Sequence, residues 1–479
     1  MISAKKTHIL ESKPNMSISN IGLTDKVSGG NISIFVECTE PLLLLADMLP
    51  WCEIASLVED DLRRSSPKGA IHLGPKLYLR SHLASYILQS LRNLTDREME
   101  FSLRFNALYQ VFCGRNVIDN WRPPNSSSIE EFRNRLSPEI HREIGICVLK
   151  CASKAGFLDP AWMDIDSTVQ EANMAYPSDV NIMFKLGVKA KAILPFINSK
   201  FPDLALSVDL KDIKSKVKGY FFLAKNTDRD VKNKAFSRVH AIVCSYVIPV
   251  IDSLMTISEE ELSACGKETR NLIELVCNTG GNYLADVEEY IKTGVMVKGK
   301  ILSLHLSEVM CICKGKAGKP FEFGRVFQLG RMGGNFLLVG EAATVFNSDK
   351  DAVAHMVTEH ARIFGKGVLK SCATDRGYNT VTNLEALIEA EVTEIGVQHR
   401  AMLRPADENE KDVELYNRRA GIEPLIGHVK TDHGLGRSRM KSDRTTLSSG
   451  YRSVLGHNLG VILRHLERQQ SQSKHSSVA

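Results

Sequence analysis

Paired cysteines at metal-ligand spacing are missing from this chain. Its 11 cysteines include no CxxC pair. The closest neighbours, Cys147 with Cys151 and Cys311 with Cys313, suit one helical turn and one strand. Zinc sites usually draw closely spaced ligand pairs from two places, so reduced, buried thiols are expected instead. No apolar run approaches the ~18 residues of a spanning helix. The opening MISAKKTHILESKP has two lysines and no apolar segment behind them, unlike a secretory signal. A soluble, cytoplasmic chain with no membrane partner is the expectation. The segment GKAGK at 315–319 lacks the spacing and the Ser/Thr of a phosphate loop, so a basic hairpin is expected there.

What is present is more specific. The 479 residues leave room for two to four domains of about 150 residues. Net charge is only +5, but its distribution is uneven. Between Leu425 and Gln470 stand eight Lys/Arg against three acids, with four histidines. Basic charge clustered this way points to a polyanion.

Residues 1–30 are polar and read as a flexible N-terminus. Residues 31–120 read as a helical domain. Apolar spacing at Leu83, Tyr86, Ile87 and Leu91 predicts a helix. Asn93–Asp96 breaks it, and Thr95 with Glu98 predicts a capping box for the next. In 121–182, Ser128 is the expected cap of a helix carrying Phe132 and Leu136 on one side and Arg133 and Arg135 on the other. WMDIDSTVQ at 162–170 reads as a strand. Residues 183–298 read as a helical insertion. From Ile301 the pattern alternates, predicting hairpin strands, and 299–467 as a whole reads as mixed α/β. A strand ends at Asp375, and a helix over 409–433 is expected to break at Pro424. Residues 468–479, rich in Ser and Gln, read as a disordered tail.

Tyr416, Arg419, Glu423 and Lys430 follow one another at intervals of three, four and seven. On a straight helix all four share a face, with one carboxylate flanked by cations. Asp375 ends a core strand before Arg376-Gly377-Tyr378, a position that projects into a crevice. Asp166 lies within a strand, and Asp164, two residues back, points to the same face. Three carboxylates with few histidines or thiols favour a hard cation, Mg2+ or Mn2+. Two such ions suit an in-line phosphodiester displacement.

With these spacings the chain resembles the DDE transposases of bacterial insertion sequences, in the group marked by a Tyr-Arg-Glu-Lys signature. LRFNALYQVFCG, SSSIEEFRNRLSPE, VQEANMAYPSD, KGKAGKPFEFG, DRGY and RRAGIEPLIGHVKTDHGLGR follow the family blocks in order, over about residues 40–467. The resemblance implies an RNase H-like catalytic core, with Asp166, Asp375 and Glu423 as catalytic residues and metal ligands. It favours Asp166 over Asp164 through the Asp-Ser-Thr motif. It implies two Mg2+ or Mn2+ ions, cleavage at insertion-sequence ends, and strand transfer to target DNA. Arg419, Lys430 and Tyr416 would meet DNA phosphate, as would Lys314, Lys316 and Lys319. The helical N-terminal domain would bind DNA. Partners implied are double-stranded DNA, both terminal inverted repeats and target, and a second copy in a homodimer. The alternatives are an inactive or repurposed DNA-binding relative and an RNase H-like nuclease without strand transfer.

Overall fold

The computed structural model describes residues 8–11, 33–36, 39–65, 76–114, 122–225, 228–316, 319–340, 352–397 and 410–476. Two short strands, β1 (His8–Glu11) and β2 (Ser33–Val36), pair antiparallel. β1 lies within the stretch expected to be loose. Its apolar His-Ile-Leu run finds its partner more than twenty residues on, beyond the reach of a local reading.

Helices α1 (Pro41–Met48), α2 (Trp51–Arg64), α3 (Lys76–Arg92), α4 (Asp96–Phe105), α5 (Ala107–Phe112), α6 (Ser126–Arg135) and α7 (Pro138–Lys154) follow. Between α3 and α4, Asn93 takes a left-handed φ of 51°, a conformation Asn tolerates better than most residues. The capping box then forms as expected. Glu98 N donates to Thr95 Oγ1 at 3.3 Å and Thr95 N to Glu98 Oε2 at 2.7 Å. The cap of α6 is Asn125 and not Ser128, whose own N–H donates to Asn125 Oδ1 at 2.8 Å. Phe132 and Leu136 are buried as expected, but so is Arg133. Its guanidinium grips both carboxylate oxygens of Asp96, which offsets the cost of burying the charge.

The sheet is centred on β3 (Trp162–Glu171). One neighbour is β5 (Lys319–Met332), antiparallel from Met163↔Met332 to Glu171↔Gly324. The first half of β5 also pairs with β4 (Met310–Lys316) and its second half with β6 (Phe336–Val339), both antiparallel. On its other side β3 pairs in parallel with β7 (Ser371–Thr374), and β7 in parallel with β8 (Glu394–Val397). Residues 301–309, expected to join the hairpins, form no strand. Leu306 and Val309 instead pack on Ala172.

Helix α14 (Ala352–Phe364) precedes β7, and α15 (Val381–Glu389) links β7 to β8. α16 (Glu410–Ala420), α17 (Ile422–Asp432) and α18 (Asp443–Ser476) complete the chain. The expected tail is therefore largely helix. Its polar composition continues a helix nucleated by the buried face at Val454, Leu455, Leu459 and Ile462. Gly450 lets α18 lie on the sheet, since a Cβ there would sit 2.1 Å from the Phe327 ring. One apolar core unites α1–α7, β3, β6, α14 and the buried face of α18.

Between β3 and β4 runs the helical insertion: α8 (Asp179–Lys200), α9 (Leu210–Leu223), α10 (Arg229–Met255), α11 (Glu259–Ala264), α12 (Lys267–Glu274) and α13 (Gly281–Thr293). It has its own core, built on Met183, Leu186, Val243, Val247 and Tyr283. By length and composition α10 does suffice to cross a membrane, contrary to the expectation that no such helix exists. Its Val239, Val243, Val247, Val250 and Leu254 are buried among the other helices of the insertion. A helix in a folded core passes the same test of length and apolarity.

Candidate functional site

The pairing of β3 with β7 places two of the three carboxylates. The last register pair is Ile165↔Thr374, so Asp166 and Asp375 stand side by side one residue further on. β7 stops there, and Asp375 caps the following turn by accepting the Arg376 N–H at 2.6 Å. β3 continues, and the Asp166 side chain keeps 18% exposure. The Ser167 N–H donates to Asp166 Oδ1 at 2.8 Å.

The third carboxylate arrives on a new helix. The chain breaks at Gly421, between α16 and α17, and not at Pro424. A Cβ at Gly421 would lie 2.3 Å from the Arg331 guanidinium, so the break is also a close approach. Pro424 sits in the first turn of α17, where its missing N–H breaks no helical bond. Glu423 is therefore in that first turn, 65% exposed, and the four signature residues do not share one straight helical face.

Arg419 ties the set together. Its Nη2 donates to Asp166 Oδ2 at 2.6 Å and its Nη1 to Glu423 Oε1 at 3.2 Å. Burial pushes the Asp166 carboxyl above its usual range. Arg419 opposes that shift, while the Asp375 and Glu423 carboxylates add to it. Asp166 thus feels both of the other acids.

Asp164 is engaged differently. It is fully buried and accepts from Arg418 Nε at 3.0 Å and Nη2 at 2.8 Å, with Arg331 Nη1 at 3.7 Å. Arg418 also donates to Ser371 Oγ and lies 4.7 Å from the Trp162 ring centre. Burial raises the Asp164 carboxyl, and Arg418 works against it. This cluster fastens α16 to the sheet. Sequence reasoning missed Arg418, and the doubled arginine beside the signature position was the available signal.

The donor chemistry fits a hard cation, since all three acids offer oxygen alone. The spacing as it stands does not close around one. Among the described residues no group of three His, Cys, Asp or Glu is gathered tightly enough to hold a metal. Arg419 lies between two of the three acids.

Lys430 belongs to a cleft of about 660 Å³ that none of these acids lines. Asn93, Thr95, Lys430, Arg437, Arg439 and Arg452 are among its walls. The Arg437 segment is joined to the end of β3 by the Glu171↔Arg437 bridge, five residues or ~17 Å along the strand from Asp166. Tyr416 is half-buried on α16. The side chains of Lys314, Lys316 and Lys319 lie outside the described residues. His428 pairs with Asp432 at 3.2 Å, while burial holds His433 below its ordinary pKa.

Residues 31–135 match a family described as Transposase domain (DUF772). The chain is also 24% identical over 149 residues to an uncharacterized protein, ORF8 of the nfe locus, from Rhizobium meliloti. That alignment covers 30% of this chain and 69% of the rhizobial protein. No solved structure matches. The matched family segment spans β2 and α1–α6, the helices that share a core with the sheet bearing the carboxylates. These likenesses support a transposase family for this chain.

Proposed function

We propose that this chain is a DDE transposase with an RNase H-like core, acting on double-stranded DNA ends. The observation that carries the reading is the juxtaposition of Asp166 with Asp375 on adjacent parallel strands, with Glu423 linked to Asp166 through Arg419. A central strand with antiparallel neighbours on one side and parallel ones on the other supports the choice of core. The transposase-domain likeness of residues 31–135 supports the substrate class.

Asp166, Asp375 and Glu423 would hold Mg2+ or Mn2+, which when bound activates the attacking oxygen and stabilises the leaving one. The remaining work falls to the chain itself. Arg419 has to release Asp166 and Glu423, and its guanidinium is then free for a substrate phosphate. In the first reaction the oxygen of a water joins phosphorus and the P–O3′ bond breaks. The 3′ oxygen takes a proton and leaves as a hydroxyl. The oxygen of that hydroxyl then joins a phosphorus of target DNA as its proton leaves, the target's own P–O3′ bond breaks, and the target 3′ oxygen takes a proton and leaves as a new hydroxyl. The basic cleft of Lys430, Arg437 and Arg439 lies ~17 Å from Asp166 along β3, about five base pairs of B-form DNA. It would hold duplex beyond the scissile bond. Joining two ends calls for a homodimer.

The test uses linear DNA carrying the ends of the element that encodes this chain. Wild type is expected to nick those ends with Mg2+ or Mn2+, and Asp375→Asn, equally folded by thermal denaturation, is expected not to. Equal cleavage by both proteins would remove the site assignment. Precut ends supplied with a supercoiled plasmid separate transposase from nuclease, because only a transposase joins them.

A further inference from the structure

The helical insertion has no part in the site described above, yet its charge is sorted. From Lys211 to Arg238 there are nine Lys/Arg against three Asp. From Glu259 to Glu289 there are eight Asp/Glu against two Lys/Arg. A solvated domain with no charged partner has no need for such polarity. Sorted charge gives it one stretch of chain that attracts polyanions and another that repels them.

The basic stretch is organised on α9. Ile213 and Val217 are buried, and Tyr220 packs on Phe236 of α10 at 6.0 Å between ring centres. These residues fix which side of α9 faces inward. On the outward side Lys211, Lys214, Lys218, Phe221 and Phe222 fall within about 100° of arc. Lys225 follows just past the helix end. All four lysines are exposed, and none of them forms an ion pair among the described residues. The two acids at the start of α9 are engaged elsewhere. Asp209 caps the helix by accepting from Lys211 N, and Asp212 accepts from the Tyr246 hydroxyl.

The aromatics are the second observation. Phe222 is 79% exposed and Phe221 43%. Burial of each ring would be strongly favourable, yet Phe222 is left mostly in water, and Phe221 partly so, at the end of a lysine stripe. Cations that meet phosphates, beside aromatic faces on which bases stack, are the two components of a polynucleotide-binding surface.

We infer that the outer face of α9 binds a nucleic-acid strand, with Lys211, Lys214, Lys218 and Lys225 on phosphates and Phe222 against a base. This rests on the transposase reading for the kind of partner, and on the stripe alone for the place. The surface is remote in sequence from the signature residues and from the N-terminal helices. It gives the insertion a task of its own, a contact with DNA that does not depend on base sequence. A stacked base requires an unpaired or frayed position, so strands opened near a cut are the fitting substrate.

The experiment measures binding of the full chain to a fluorescein-labelled duplex of arbitrary sequence and to its single strand, between about 50 and 200 mM salt. The variant Lys214→Gln/Lys218→Gln/Lys225→Gln is compared with Lys267→Gln/Lys292→Gln/Lys298→Gln, which removes equal charge from the insertion outside the stripe. At about 0.9 per phosphate contact, the stripe variant should flatten the salt slope by about 2–3 and weaken binding about tenfold at the higher salt. The control variant should leave both unchanged. Phe222→Ala should weaken single-strand binding more than duplex binding. Equal salt slopes for wild type and stripe variant, with thermal unfolding unchanged, would overturn the inference and leave the transposase reading standing. Absence of any DNA binding by wild type would instead overturn that reading, and this inference with it. Sedimentation with phosphatidylserine vesicles is the other arm. Vesicle binding lost in the stripe variant, with DNA binding intact, would assign the surface to an anionic membrane and overturn the inference.

Discussion

Asp164 and Asp166 are two residues apart on one strand, yet their surroundings are opposite. Asp164 has no exposure and is closed by the Arg418 fork. Asp166 keeps access to solvent and shares Arg419 with Glu423. Removing one partner of a buried pair strands the other charge. Arg418→Ala should therefore cost ~3–5 kcal/mol of stability, read from urea unfolding. Arg418→Lys should recover only part of it, since an ammonium cannot reproduce the two-nitrogen fork. A stability loss below about 1 kcal/mol in Arg418→Ala would contradict the role assigned to this pair. The sequence carried the preference for Asp166 only through a family motif. The physical distinction between the two acids lies in which arginine of α16 reaches which carboxylate, and spacing along the chain does not encode that.

At the scale of elements, the strand patterns at 162–171 and 319–339, the capping box at Thr95 and the helical run of the insertion were legible because local pattern and tertiary packing agree. The break between α16 and α17 was not. Proline drew attention to position 424, while the chain breaks at Gly421, where Arg331 Nη1 donates to the Arg418 carbonyl at 2.7 Å and leaves no room for a Cβ. The edge of β6 shows the same dependence on distant partners. Asn458 of α18 accepts from Leu337 N at 2.9 Å and donates to Leu337 O at 2.8 Å, so one amide satisfies both backbone groups of a buried strand residue. Asn458→Leu leaves both unpaired in an apolar setting. It should lower stability by roughly 2–4 kcal/mol, at about 1–3 kcal/mol for each unsatisfied group with partial relaxation. Amide exchange at Leu337 in that variant should rise well above wild type, and unchanged protection there would argue against the bridge.

Among the described residues the two largest apolar cores are one shared by the N-terminal helices, the sheet and α18, and one confined to the insertion. The shared core makes stability sensitive to acid. Burial pushes His141 down to about 3 and His457 down to about 4, from 6.5. His141 meets the Tyr86 hydroxyl at 2.8 Å, and His457 Nε2 donates to Asn335 O at 3.0 Å. Both groups have a folded pKa below the unfolded one. Their contribution is therefore complete above about pH 6.5, and it is lost as pH falls and the unfolded chain takes up protons that the folded chain excludes. Between about pH 6.5 and 4 the two together should give a slope on the order of 2–3 kcal/mol per pH unit. Urea midpoints measured across that range should fall accordingly, and His457→Gln should remove about half of the slope. Midpoints that stay level down to about pH 4.5 would refute the assignment.

The sequence by itself determined the alternation of strands and helices, the insertion between the first and second long strands, and the candidates Asp166, Asp375 and Glu423. These rest on periodicity, turn chemistry and motif spacing, all readable within a window of a few turns. Only the tertiary structure decided that Asp166 and Asp375 stand side by side, because a parallel pairing across more than two hundred residues has no local signature. It alone gave Arg419 two carboxylates, buried Asp164 beneath Arg418, and put Lys430 in a separate basic cleft. It also left the lysine stripe of α9 facing outward, since the buried side of that helix is fixed by α8 and α10 and not by α9 alone.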